Sequence, residues 1–297
     1  MLLLVDLDGV VYRGNDPVPG VAALLAERAA GGDDVVYVTN NSMHYRADYV
    51  TRLSAMGAPV TADRVVSAPR ATALYIAERE PGLRRVLTVG ASGLDRELRD
   101  VGLDVVAAAG VAERMAKEGL DGWAAAGHPD AVVAGLDPQL TYLRIAAAAD
   151  CIRAGARFIA TNRDPVYPTE RGLRPGAGSV IAAIEVACGV KALVIGKPEP
   201  LLIEEAARAV GADPRTAVVI GDGLQTDIAA ARAVGARSVL VLTGVSSRAE
   251  ADALTAELRP TAVAADAVEL AAALRALAAG QIELHGRARG NRSSGRR

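Results

Sequence analysis

Asp6 and Asp8 follow the apolar run MLLLV and are separated by a single leucine. Successive side chains of an extended chain point to opposite faces, so acids two apart project the same way. Like charges held that close resist joint ionisation unless a cation or a shared proton relieves them. The pair therefore asks for a metal ion, a proton-transfer role or a plain turn. Three other apolar runs end in polar clusters: VTNN with Thr39, Asn40 and Asn41, IGKP with Lys197, and IGDGLQTD with Asp222 and Asp227.

Phosphate chemistry accounts for this set economically. Asp6 can attack phosphorus as a carboxylate nucleophile, while Asp8 protonates the leaving alkoxide and then deprotonates water. Asp222 can join them in holding Mg²⁺ through oxygen ligands, which eases the repulsion between Asp6 and an incoming phosphate. Lys197 can hold phosphate and Asp6 by charge, and Thr39 with the adjoining Asn40 and Asn41 can donate hydrogen bonds to phosphate oxygens. Asp227 can orient Lys197 or a metal-bound water. Taken singly, each residue has a plainer reading. The acids suit helix starts, Thr39 and Asn40 a strand-to-turn transition, and Lys197 a solvated loop. Together, at the carboxyl ends of strands where open parallel sheets bind ligands, they read as one site.

That reading requires elements that bring four strand ends to one rim. LLLV reads as a buried parallel strand, PGVAALLAERAA as a helix, VVYVTN as a strand, and RADYVTRLSAMG as a helix closed by Gly57. This alternation predicts a mostly parallel layered domain. LRRVLTVG, LDVVAAA, DAVVAGLD and ARFIATN read as further strands, with GLDRELRDVG and YLRIAAAADCIRAG as helices. They supply a separate α/β cap over residues 80–180, between core parts at 1–79 and 181–260. From SVIAAIEVA onward the core is expected to resume through ALVIGKP, PLLIEEAARAVG, TAVVIGDG, DIAAARAVG and SVLVLTG. A core-associated helix is expected over 261–284, and the Arg-, Gly- and Ser-rich end, 285–297, as a mobile surface tail.

Composition narrows the setting. The 297 residues suffice for two domains, and 51% hydrophobic content with only 3% aromatics implies a core of Ala, Val and Leu. A net charge of -2 gives no broad attraction to nucleic acid or anionic membrane, so neither partner is expected. Cys151 and Cys188 are too few for a disulfide scaffold and read as buried thiols. No basic leader precedes the first apolar run, and Asp6 interrupts it at once. The expectation is neither signal peptide nor membrane span, hence a cytoplasmic protein.

A phosphorylation-receiver domain uses similar acids, threonine and lysine, but it predicts one compact sheet domain without the long middle segment. A dinucleotide site is weaker, because no G-x-G-x-x-G turn follows the first strand. The motifs DLDGVVYRG, VTNNS, IGKP and GDGLQTDI, in that order, resemble the haloacid dehalogenase superfamily. Within it they resemble phosphatases with a C2 cap of the NagD/4-nitrophenylphosphatase type. The resemblance spans about residues 1–260 and implies a Rossmann-like α/β core with an inserted α/β C2 cap. It implies Asp6 as nucleophile, Asp8 as general acid/base, Thr39 as phosphate binder and Lys197 as stabilising lysine. Asp222 would be the magnesium-binding acid, Asp227 its support, and the Asp8 backbone carbonyl a further metal ligand. It also implies magnesium-dependent hydrolysis of small phosphorylated metabolites such as glycerol phosphate or phosphoglycolate, and a homodimer paired through cap surfaces. Phosphotransfer to another hydroxyl and a phosphate-responsive regulator are the alternatives. In the cap loop NRDPVYPTERG, Pro165 and Pro168 restrict the backbone around Tyr167, which is expected to contact the organic part of the substrate. The competing expectation packs Tyr167 inside the cap, with Arg163 and Asp164 in a local salt link.

Overall fold

The computed structural model describes residues 1–169 and 172–281. Among them, six parallel strands form one sheet in the spatial order Ala262–Ala264, Arg237–Val241, Val218–Gly221, Leu2–Val5, Asp34–Thr39 and Val65–Ser67. LLLV sits in the middle because both of its faces are covered. Leu2 and Leu4 enter one apolar cluster, Leu3 and Val5 the other. Continuous apolar runs of this kind are what a parallel sheet clothed on both sides demands. Burying each such leucine contributes about 2 kcal/mol, which is how a chain poor in aromatics still builds a firm centre.

Register then fixes the rim. Val5 lies opposite Ile220 on one side and Tyr37 on the other. The residues that follow these strands, Asp6, Asp222 and Asn40, therefore emerge together with Thr39 at the switch in strand order. The helix Arg46–Ala55 ends as its sequence requires, with Gly57 at φ 77° in the left-handed region that glycine adopts freely.

A second parallel sheet is inserted between the strand Val65–Ser67 and the strand Val218–Gly221. Its order is Leu193–Val194, Arg157–Ala160, Ala131–Ala134, Arg85–Val89 and Asp104–Ala107. One face shares the cluster of Leu4 and Val38 through Val86, Val133 and Ile159. The other face, with Leu87, Val132 and Phe158, is covered by the helix Ala177–Cys188 through Val180, Ile181 and Ile184. SVIAAIEVA and ALV thus pack with the inserted sheet rather than reopening the first one, and Leu193 pairs with Ile159. The first sheet regains a strand only at Val218. The chain is a mixed α/β fold, a mostly parallel core with an inserted cap.

Two hairpins lie outside the sheets. Tyr12–Arg13 pairs with Asp16–Pro17, and Val166–Thr169 with Gly172–Pro175. The second hairpin lies where the sequence predicts only a cap loop. Cys151 is buried, whereas Cys188 is only partly so, at the end of its helix. The C-terminal helix covers Ala267–Ala278, and the expected mobile tail lies outside the described residues. No helix among the described residues is long and apolar enough to cross a membrane.

Candidate active site

Lys197 organises the rim. Its side chain is 2% exposed, and its Nζ donates to Asp6 Oδ1 and to Asp227 Oδ1, each at 2.6 Å. Burial acts to lower the lysine pKa, but the charges and hydrogen bonds of Asp227 and Asp6 outweigh it and push it upward. Lys197 is therefore a fixed cation. Its backbone is held as firmly: Lys197 N donates to Asn40 Oδ1 at 2.9 Å, and Asn40 Nδ2 donates to the Lys197 carbonyl at 2.9 Å. Asn40 Nδ2 also donates to Asp164 Oδ1 in the cap loop at 3.0 Å. The amide of Asn40 is thus engaged in tying two loops together.

Asp227 reaches Lys197 because LQTDI, Leu224–Ile228, forms a widened turn with Ile228 N donating to the Gly223 carbonyl. Such π-type turns recur at functional sites. The second oxygen of Asp227 accepts from Gly223 N at 3.1 Å and Thr226 Oγ1 at 3.2 Å. Both its oxygens are occupied, one of them by the lysine.

Asp6, Asp222 and Asp227 each place a carboxylate oxygen within 4.8 Å of the others, and all three are buried. Burial raises Asp6 well above the usual carboxylate range; Lys197 opposes this, while Asp227 and Asp222 add to it. Asp222 is pushed up to about 6, by burial and then by Asp227. One ammonium cannot satisfy three acids, and an all-oxygen donor set suits a hard divalent ion. The backbone leaves room for such a centre. A Cβ on Gly244 would fall 1.7 Å from Asp222 Oδ2, and one on Gly9 2.2 Å from the same oxygen. Val245 N donates to that oxygen at 2.8 Å, which fixes its direction. Gly244→Ala should therefore displace Asp222 and lower kcat/KM by about 100-fold. A methyl group tolerated there, with unchanged steady-state kinetics, would show that the cradle has no function.

Asp8 lines the same cavity but stands outside the three-carboxylate cluster. Burial raises its pKa, against the opposing charges of Arg52, Lys197 and His44. A carboxyl with a raised pKa is suited to donating a proton. Thr39 is buried at the cavity, and its Oγ1 accepts from Asn41 N at 3.1 Å, leaving its own hydroxyl hydrogen to offer. Asn41 Oδ1 in turn accepts from Met43 N at 3.0 Å.

The cavity encloses about 650 Å³ between core and cap. Tyr167 lines it from the cap hairpin. The expected local link between Arg163 and Asp164 does not form. Arg163 pairs with Glu185, while Asp164 accepts from Asn40 and from Asn162 Nδ2, the latter at 2.9 Å. Sequence reasoning missed Asn162, Asp164, Arg13 and the Gly244–Val245 turn as parts of the site. The last could have been found, since SVLVLTG is itself a strand running into a polar turn at the same rim.

A buried acid paired with a lysine, a second acid with a raised pKa and a carboxylate cluster suited to a divalent ion, gathered at parallel strand ends, form the constellation of a phosphoryl-transferring hydrolase. Residues 3–104 match the haloacid dehalogenase-like hydrolases and residues 194–270 the HAD-hydrolase-like group. The chain belongs to the haloacid dehalogenase-like superfamily, in its capped NagD/4-nitrophenylphosphatase type, and is a phosphoric monoester hydrolase. It is 35% identical over 247 residues to an acid sugar phosphatase of Staphylococcus saprophyticus, covering 83% of this chain and 88% of that protein. The p-nitrophenyl phosphatase from Archaeoglobus fulgidus superposes with a TM-score of 0.79 at 30% identity, over 92% of this chain and 98% of the other. A glycerol phosphate phosphatase from Mycobacterium tuberculosis in complex with magnesium gives 0.77 at 37% identity, over 91% and 75%.

Proposed function

We propose that the protein is a magnesium-dependent phosphatase of small phosphorylated metabolites, with glycerol phosphate and phosphoglycolate as the substrates to expect. The observation that carries this reading is Lys197 held between Asp6 and Asp227 at the floor of a cap-covered cavity, beside Asp222. Asp6 attacks phosphorus, and Asp8 gives its proton to the departing ester oxygen. Asp8 then takes a proton from the water that attacks the aspartyl phosphate, so inorganic phosphate leaves and Asp6 is restored. Lys197 fixes the orientation of Asp6 and offsets negative charge, and Thr39 donates to a phosphate oxygen. Asp6 and Asp222, with the Asp8 carbonyl, would hold magnesium, which when bound would supply positive charge against the phosphate. Glycerol phosphate is favoured by the likeness to the glycerol phosphate phosphatase of M. tuberculosis; phosphoglycolate is favoured by Arg13, a cation on the cavity lining.

Tyr167 contacts the organic half of the ester in this reading, with support from its place on the cavity wall opposite the core residues. The test measures inorganic phosphate release from a panel of esters with magnesium and with chelator, for wild type and Tyr167→Ala. Release is expected only with magnesium, and the variant should change the ratio of kcat/KM between esters by about tenfold. No release from any ester, despite bound magnesium, rejects hydrolysis as the reading. Equal losses on all esters would make Tyr167 a packing residue.

A further inference from the structure

We infer that Arg13, on the core hairpin, is a specificity residue that receives a second anionic group on the leaving portion of the substrate. The inference rests on the phosphatase reading above. Among the described residues, five aspartates line the cavity against two cations, Lys197 and Arg13. Lys197 is committed to Asp6 and Asp227. Among the described residues, Arg13 is paired with no acid. Asp16 lies directly across the hairpin in register, yet among the described residues no ion pair reaches Arg13. Its Nε instead donates to the carbonyl of Thr243.

That single tether matters. Thr243 Oγ1 donates to the Gly9 carbonyl at 2.6 Å, and Val245, two residues on, donates to Asp222. The guanidinium is therefore anchored to the same turn that orients the metal-ready carboxylate, so its distance from the reaction centre is set by the core. Holding Nε leaves the two terminal nitrogens for a ligand, and such a pair matches a carboxylate or phosphate in a two-pronged contact. Arg13 comes from the hairpin after the first strand and not from the strand ends that supply Asp6, Lys197 and Asp222, so on this proposal it serves the leaving group and they serve the transferred phosphate. Tyr167 faces that group from the cap side of the same cavity. An ester carrying a second negative charge is the chemistry that fits, since a neutral alcohol leaves the cation unused among the acids.

Two esters that differ only at this group test the idea: phosphoglycolate and 2-hydroxyethyl phosphate, which has an alcohol in place of the carboxylate. Wild type should prefer phosphoglycolate. In Arg13→Ala and Arg13→Gln the ratio of the two kcat/KM values should fall about 10- to 100-fold, the range of a hydrogen-bonded ion contact, and the fall should lie in KM for phosphoglycolate. Arg13→Lys should restore part of the preference. A ratio unchanged in both Arg13→Gln and Arg13→Ala, in folded protein that still turns over both esters, overturns the assignment while leaving the phosphatase reading intact. If wild type hydrolyses neither ester nor any other on the panel, the underlying reading fails instead.

Discussion

Asp6→Asn is expected to abolish turnover and leave the protein folded. The amide matches the carboxylate in shape but cannot attack phosphorus, so kcat should drop roughly 10,000-fold or more, as when a covalent nucleophile is removed elsewhere. Stability should not follow. In the metal-free protein the charged form of Asp6 is disfavoured, first by burial and then by Asp227 and Asp222, although Lys197 opposes that. Removing the charge relieves a crowded cluster, and Lys197 keeps Asp227 at 2.6 Å. Thermal melts in chelator should place the variant at or above wild type. Magnesium affinity should weaken yet persist through Asp222. Substantial phosphate release from purified Asp6→Asn would remove Asp6 from its place as nucleophile. A collapsed melting temperature would show instead that its ion pair with Lys197 holds the fold.

Much of this site was legible because its parts are local. Asp6 and Asp8 follow a strand whose burial is written in four successive apolar residues, and Lys197 and Asp222 also follow short apolar strands. Parallel sheets gather such ends by rule, so the rim could be assembled without coordinates. What stayed hidden is long-range and side-chain specific. Asn40 bonds Asp164 across 124 positions, and no local pattern marks that partnership. Arg163 and Asp164 are adjacent and opposite in charge, which suggests a mutual link. Packing sends Arg163 to Glu185 on the neighbouring helix, while Asp164 points to the core. The strand Leu193–Val194 reads like any other core strand, since the short apolar run ALVI says nothing about which sheet will pair with it. Arg13 lies in a short hairpin with no hydrophobic period to announce its direction.

Lys197→Met should be both inactive and measurably less stable, and the two losses should come apart in a second variant. The lysine is buried between Asp6 and Asp227, each also buried. Removing one partner of a buried ion pair leaves an uncompensated charge and costs about 3–5 kcal/mol. Asp6 escapes part of that cost by taking up a proton, as its raised pKa already favours. Asp227 keeps Gly223 N and Thr226 Oγ1 as donors but loses the ammonium, so it is the acid left without its cation. At about 3 kcal/mol the metal-free melting temperature should fall by roughly 6–12 °C. Lys197→Met/Asp227→Asn removes that charge and should recover more than half of the lost stability in urea or thermal melts. Its kcat should remain as low as in the single variant, because Asp6 still lacks the cation that orients it and offsets the incoming phosphate. A single variant as stable as wild type in chelator would mean that the buried lysine merely balances its own desolvation. Recovery of activity in the double variant would mean that Lys197 serves only to neutralise Asp227, and that the phosphate is held by other groups.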